Sequence, residues 1–340
     1  MKTKPILKKI IKILLRLIML LAVLFLILIA VFSIGSNKPA EKMAWGVNFS
    51  QKHASALGLD WRETYSAILD DLGARHIRIA SHWDLIEKEP GSFDFSDLDW
   101  QIDTAATRNA KIILAVGMKT PRWPECHLPG WTENKDLAWV ESRTANYVRA
   151  VMERYRSNLN IVAWQIENEP FFYFGECPPL DPEFFEKEVA LARQIDPDRK
   201  IMVTDSGEFS SWFEAASLGD VVGTTLYREA YFHRLKTFLA YPLTPTFYRR
   251  KTQLVDWFYG KKVVPVEVQA EPWFQSYPLG VPGQKNQDFT LDKFKNNLEY
   301  VRRTGFDEAY LWGAEWWYYQ KVKADNSSFW QEARILFSPK

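Results

Sequence analysis

Eight short apolar runs recur along the chain with helical patterns between them, and this alternation limits the fold more than any other feature. The runs lie near positions 44, 76, 111, 161, 201, 221, 263 and 308. Most are rich in β-branched residues, as in Ile161-Val162-Ala163 and Val263-Val264-Pro265-Val266, and read as buried parallel strands. Strands alternating with helices argue an α/β fold with a parallel sheet. Eight such units match a (β/α)8 TIM barrel of about 250 residues, so 340 residues leave room for one added segment. No internal repeat or second domain is evident.

In that fold chemistry sits where strands run out at their C-terminal ends. Trp164-Gln165-Ile166-Glu167-Asn168-Glu169-Pro170 closes the fourth run, and Pro170 stops the ladder from continuing. The seventh run ends alike, in Val266-Glu267-Val268-Gln269-Ala270-Glu271-Pro272-Trp273. Glu169 and Glu267 are 98 residues apart, three strand-plus-helix units of about 30 residues each. Strands three units apart lie roughly across the mouth, so both carboxylates are expected at one pocket. Two carboxylates flanking a scissile bond is the arrangement that glycoside hydrolysis requires.

Asn168-Glu169-Pro170 resembles the acid/base motif of glycoside hydrolase clan A, the retaining (β/α)8-barrel enzymes that include many cellulases, mannanases and xylanases. Val266-Glu267-Val268 is similar to the clan's nucleophile strand, which usually carries Thr-Glu-Leu or Thr-Glu-Phe; Val266 in place of Thr is a departure. The resemblance implies Glu169 as acid/base, Glu267 as nucleophile and Asn168 bonded to the sugar 2-hydroxyl. It also implies Arg78 beneath the nucleophile, with a salt bridge to a structural acid as the alternative. Tyr227 would donate to the nucleophile, unless it is a buried tyrosine satisfied elsewhere, and Trp312 would stack on the sugar. Trp83, ahead of Glu89-Pro90-Gly91 and Phe93-Asp94-Phe95, resembles a loop of the same superfamily. Glu271 and Trp273, further out than Glu267, are expected to touch or support substrate. His127 and His82 are expected in mouth loops against sugar hydroxyls, with Pro121 to Pro129 forming one wall of the cleft.

A net charge of +1 gives no reason to expect nucleic acid. The 15 Trp residues mostly fill a core, some fraction lining a groove. His53, His76, His82, His127 and His233 are scattered without metal-ligand spacing, so neither metal nor cofactor is assigned. Neither a Gly-rich phosphate loop nor a Gly-x-Ser-x-Gly elbow occurs.

Lys2, Lys4, Lys8, Lys9, Lys12 and Arg16 precede an apolar run from Leu17 to Ile34. As a helix those residues span about 27 Å, close to the ~30 Å hydrocarbon core. The basic flank stays cytoplasmic, which sends the rest outside. The expected organisation is a basic stub and transmembrane anchor over 1–35, a linker over 36–42 and a catalytic barrel over 43–340. A cleaved signal sequence and a buried core helix are the alternatives. An external domain permits a disulfide between Cys126 and Cys177, whose loops would be neighbours, the alternative being two separate thiols. Arg228 to Gly260, aromatic and basic, must hold a helix plus an inserted loop that rests on a membrane, on substrate, or in solvent. The function expected is retaining hydrolysis of a β-linked poly- or oligosaccharide. A transglycosylase using the same residues and a membrane-anchored, non-catalytic sugar-binding protein are the rivals.

Overall fold

The computed structural model describes residues 3–35, 37–232, 235–273 and 288–338. His233 lies outside them. Eight parallel strands close into a barrel: β1 (Ala44–Phe49), β2 (His76–Ala80), β3 (Lys111–Val116), β4 (Ile161–Ile166), β5 (Lys200–Asp205), β6 (Val221–Leu226), β9 (Lys262–Gln269) and β10 (Glu308–Trp312), with β10 pairing β1. All eight expected runs are strands. Between β6 and β9 lies the inserted segment. It is an antiparallel hairpin, β7 (Glu229–Phe232) and β8 (Thr237–Ala240), followed by a helix, Pro245–Tyr259.

The strands read as continuous apolar runs because they are buried on both faces. Outward residues such as Ile112, Leu114 and Val203 belong to the layer shared with the helices. Ile113, Ala163, Met202, Val221, Val264, Val266 and Tyr310 fill the barrel interior beneath its mouth. Gly46 makes room for this plug: a Cβ there would stand 2.5 Å from the Tyr310 ring. Pro265 lacks the N–H that a central strand donates. The β6–β9 register shifts there, Thr224 facing Pro265 and Thr225 facing Glu267, so Val266 is skipped. Such an irregularity re-aims the side chains beyond it, here Glu267.

The N-terminal helix, Thr3–Ser33, starts earlier than the apolar run, because Lys and Arg are good helix formers and extend it. Within Lys8–Ser33 an 18-residue window has mean hydropathy 3.1, and the helix is long and apolar enough to cross a membrane. Its C-terminal end rests on the helix Pro245–Tyr259. Phe32 and Phe247 rings lie 6.0 Å apart, and Thr244 Oγ1 donates to the Ser33 carbonyl at 3.3 Å. Arg249 Nη1 donates to Asn37 Oδ1 at 2.8 Å.

Candidate active site

Glu267 lies near the C-terminal end of β9, where both of its carboxylate oxygens are held. Arg78 Nη1 donates to Oε1 at 2.8 Å, and the Tyr227 hydroxyl donates to Oε2 at 2.9 Å. Arg78 is 1% exposed, and an unpaired buried charge would be costly. Its remaining donors meet Gln165 Oε1 at 2.7 Å, Asn48 Oδ1 at 3.0 Å and Asn168 Oδ1 at 2.8 Å. One guanidinium from β2 thus ties the ends of β1, β4 and β9 together. Arg78 thus pairs with Glu267, and the Tyr227 hydroxyl is satisfied by the same carboxylate.

Glu169 follows β4 through a bend in which Glu167 and Glu169 both take positive φ, 56° and 44°. Non-glycine residues adopt that region at a cost and need surroundings that hold them. Glu167 supplies them by accepting from the backbone N–H groups of Met118 (2.9 Å) and Lys119 (2.6 Å). Its carboxylate fills the space a Cβ on Gly117, itself at φ 139°, would take. The Glu169 N–H donates to Thr204 Oγ1 at 2.8 Å, and Lys119 Nζ donates to the Glu169 carbonyl at 3.0 Å. Burial, then the charges of Glu267 and Glu125, hold the Glu169 carboxyl well above the ordinary range.

Glu125 is a third acid at this site, to which the sequence analysis assigned no role. It sits at φ 73° in the loop after β3, buried, and accepts from Asn168 Nδ2 at 2.8 Å. Burial and the Glu267 charge push it up to about 7. The loop is clamped by a disulfide between Cys126 and Cys177, the pairing left open by the sequence. A fourth acid, Glu208, takes the Tyr227 N–H (2.8 Å) and the Tyr248 hydroxyl (2.9 Å), and burial raises it. An acid in a strand-end loop was the only sequence signal for either.

Glu125, Glu169, Glu208, Glu267 and Tyr227 line one cavity of about 390 Å³. Trp273 joins them, its ring edge-on to Tyr227 at 5.1 Å. Among the described residues the rest of the wall is mostly aromatic, with Phe172, Phe174, Phe209, Tyr231 and Tyr241. Among the described residues no group of three or more His, Cys, Asp or Glu side chains is placed to hold a metal.

Five expected site residues lie outside the lining of this cavity. Trp83 is fully buried, stacked on Tyr147 at 5.4 Å and donating to Glu87 Oε2 at 2.7 Å; it is a post beneath its loop. His127 and His82 are also buried, with rings 4.2 Å apart. Burial, then the Lys52 charge, lowers His127 to about 3, and burial together with His127 lowers His82 well below the usual value. Both belong to loop packing rather than to sugar recognition. Glu271 turns away from the cavity and pairs with Arg122 and, at 3.3 Å, with His53 Nε2. Burial would raise it, but the Arg122 and His53 interactions prevail and bring it to about 2. Trp312 carries the Arg122 guanidinium 3.9 Å from its ring centroid, and Arg122 also pairs with Glu315 at 3.2 Å. Arg122 thus occupies one face of the Trp312 ring.

The family model of glycosyl hydrolase family 10 matches residues 63–217, a span that holds Glu169 but not Glu267. A β-1,4-xylanase of Dictyoglomus thermophilum is 26% identical over 131 residues, 36% of this chain and 35% of that protein. The β-galactosidase BgaA of Clostridium cellulovorans is 23% identical over 176 residues, 46% of this chain and 27% of that protein. The matches thus span about a quarter to a third of those relatives' length. Among solved structures, a family 10 endo-β-1,4-xylanase from Gloeophyllum trabeum superposes with a TM-score of 0.56 at 15% identity, covering 88% of this chain and 98% of that one. A β-galactosidase from Marinomonas ef1 gives 0.57 at 14% identity, covering 87% and 59%. The closed eight-stranded barrel, the family 10 match over residues 63–217 and the structural neighbours agree on a (β/α)8 barrel similar to those of the clan A glycosidases.

Proposed function

We propose that this chain hydrolyses a β-glycosidic bond with retention, by double displacement between Glu169 and Glu267. The observation that supports this most is that two buried glutamates share one cavity in opposite environments. Glu267 receives donors on both oxygens, which fix its carboxyl group toward the cavity, whereas burial and neighbouring charges keep a proton on Glu169. Glu169 protonates the leaving oxygen while Glu267 attacks the anomeric carbon and forms a glycosyl-enzyme. Once Glu267 is esterified its charge no longer raises Glu169, which can then take the proton of the incoming water. Asn168 gives one amide hydrogen to Glu125, and its second would meet the 2-hydroxyl. Retention calls for carboxyl groups about 5–5.5 Å apart. Transfer to a second sugar would use the same groups, and oligosaccharide products longer than the substrate would reveal it.

In this reading residues 1–35 anchor the barrel, 36–42 link it and 43–340 act outside the cytoplasm. Support comes from the basic flank and the apolar helix.

Glu267→Gly is expected to abolish hydrolysis, and azide to restore cleavage as a glycosyl azide of inverted configuration. Glu271→Gly should keep the nucleophile, since Glu271 is committed to Arg122. Azide rescue of Glu271→Gly, with Glu267→Gly still active, would mean the nucleophile is misassigned.

A further inference from the structure

We infer that the substrate is a glycolipid: a sugar β-linked to an apolar chain, drawn from the membrane in which the N-terminal helix sits. This rests on the hydrolase reading and names the leaving group that site accepts.

The cavity has two chemically distinct ends. Glu125, Glu169, Glu267 and Tyr227 form a polar end. Glu169 must protonate the leaving oxygen, so the leaving group lies on the side of Glu169 and the loops that follow β4, β5 and β6. Those loops supply phenylalanine. Phe172 stacks between Phe174 (6.3 Å) and Phe209 (5.7 Å), and Tyr231 and Tyr241 of the hairpin region complete the wall. The Phe172, Phe174 and Phe209 rings offer no hydrogen bonds, so sugar hydroxyls set against them gain no partner, and Ser206, Glu208, Thr225, Tyr231 and Tyr241 are the polar groups of a wall that is otherwise apolar. An alkyl chain loses nothing by the same transfer and gains from leaving water. Toward β1 and β10 the path is filled by Arg122, lying on Trp312 and paired with Glu271 and Glu315. Among the described residues, then, a long glycan finds no continuous groove across this mouth, whereas one sugar with a tail fits a site open on one side.

The membrane helix docks at the apolar end. Tyr241, in the cavity wall, is three residues before Thr244, which bonds the Ser33 carbonyl at the helix's C-terminal end. Three residues span at most about 11 Å. The headgroup layer is itself about 5–8 Å deep on each side of the bilayer. Helix Pro245–Tyr259 starts at this contact, so the barrel's mouth, not its far end, is next to the lipid surface. Leu235, in the turn between β7 and β8, is 64% exposed. In the reaction the anomeric carbon–oxygen bond breaks, the Glu169 proton goes to that oxygen, and the lipid leaves as a free alcohol. Water then releases the sugar from Glu267.

The test uses the full chain in lipid nanodiscs. Binding of non-hydrolysable alkyl β-thioglucosides and β-thiogalactosides, methyl to octyl, is followed by tryptophan fluorescence, and hydrolysis of the matching O-glycosides is measured in parallel. Affinity should tighten about fourfold per methylene over the first few carbons, the ratio that ~0.8 kcal/mol per buried methylene gives. Phe209→Gln, at a position 58% exposed and so tolerant of change, should flatten that slope. Absent binding, a flat slope, a slope equal in wild type and Phe209→Gln (partition into the bilayer alone), or tighter binding of phenyl than of hexyl thioglycoside would each overturn the glycolipid assignment. Hydrolysis with a flat slope would leave the hydrolase reading standing. A steep slope without hydrolysis would remove the hydrolase and leave the lipid pocket.

Discussion

Glu125 shows how one side chain can set the working pH of a pair it does not belong to. Its charge is among those that raise Glu169, and it accepts the amide hydrogen of Asn168. Hydrolysis requires Glu169 protonated, so rate is lost as pH rises through the Glu169 pKa. Glu125→Gln removes one raising charge, lowers that pKa and should move the basic limb of the kcat/KM profile to lower pH. A limb that stays in place would show that Glu125 does not act on Glu169. That loops carry acids was visible in the sequence. Which acids turn inward was not, because it depends on positive-φ positions at 125, 167 and 169 that non-glycine residues adopt only under tertiary constraint.

At the scale of elements, the loop after β3 carries both Glu125 and Arg122 and is stapled to the loop after β4. The Cys126–Cys177 bond closes 51 residues, and chain entropy for such a loop is on the order of 4 kcal/mol. Gly175, at φ 89°, lets the two loops meet, since a Cβ there would stand 2.6 Å from the Glu125 Cβ. Cys126→Ser is expected to lower Tm by several degrees and to reduce kcat/KM more than a distant destabilising change of equal size, because two residues of the mouth lose their frame. Equal losses in the two variants would make the bond a matter of stability alone. The strands themselves were legible for a local reason: a strand buried on both faces is apolar over most of its length, and most of the runs carry that mark.

For the molecule as a whole, the acids at the mouth should make stability fall on both sides of a weakly acidic optimum. Glu271 is lowered to about 2, so its contribution is present above the unfolded value near 4.5 and is lost as pH falls from there toward 2. Glu125 is raised to about 7, so its contribution is present below 4.5 and is lost as pH climbs toward 7. Thermal unfolding across pH 2–8 should therefore peak between those limbs, and Glu125→Gln should flatten the upper one. A profile still rising from pH 5 to 7 would contradict this. The N-terminal helix is decided by fractionation: the intact chain should remain with membranes, and a released form beginning after Gly35 would mean cleavage instead.

The amino-acid order alone determined the barrel, its eight strands, the apolar N-terminal helix and the two strand ends that carry Glu169 and Glu267. Each rests on a pattern within a few neighbouring residues, and burial imposes such patterns directly. Only the tertiary structure decided that Trp83, His82 and His127 are buried posts, that Cys126 and Cys177 are joined, and that Arg122 takes the face of Trp312. Arg122 meets partners 149 and 193 residues away, at Glu271 and Glu315. Contacts at that separation depend on loop paths, and loop paths are set by what the loops pack against rather than by their own periodicity.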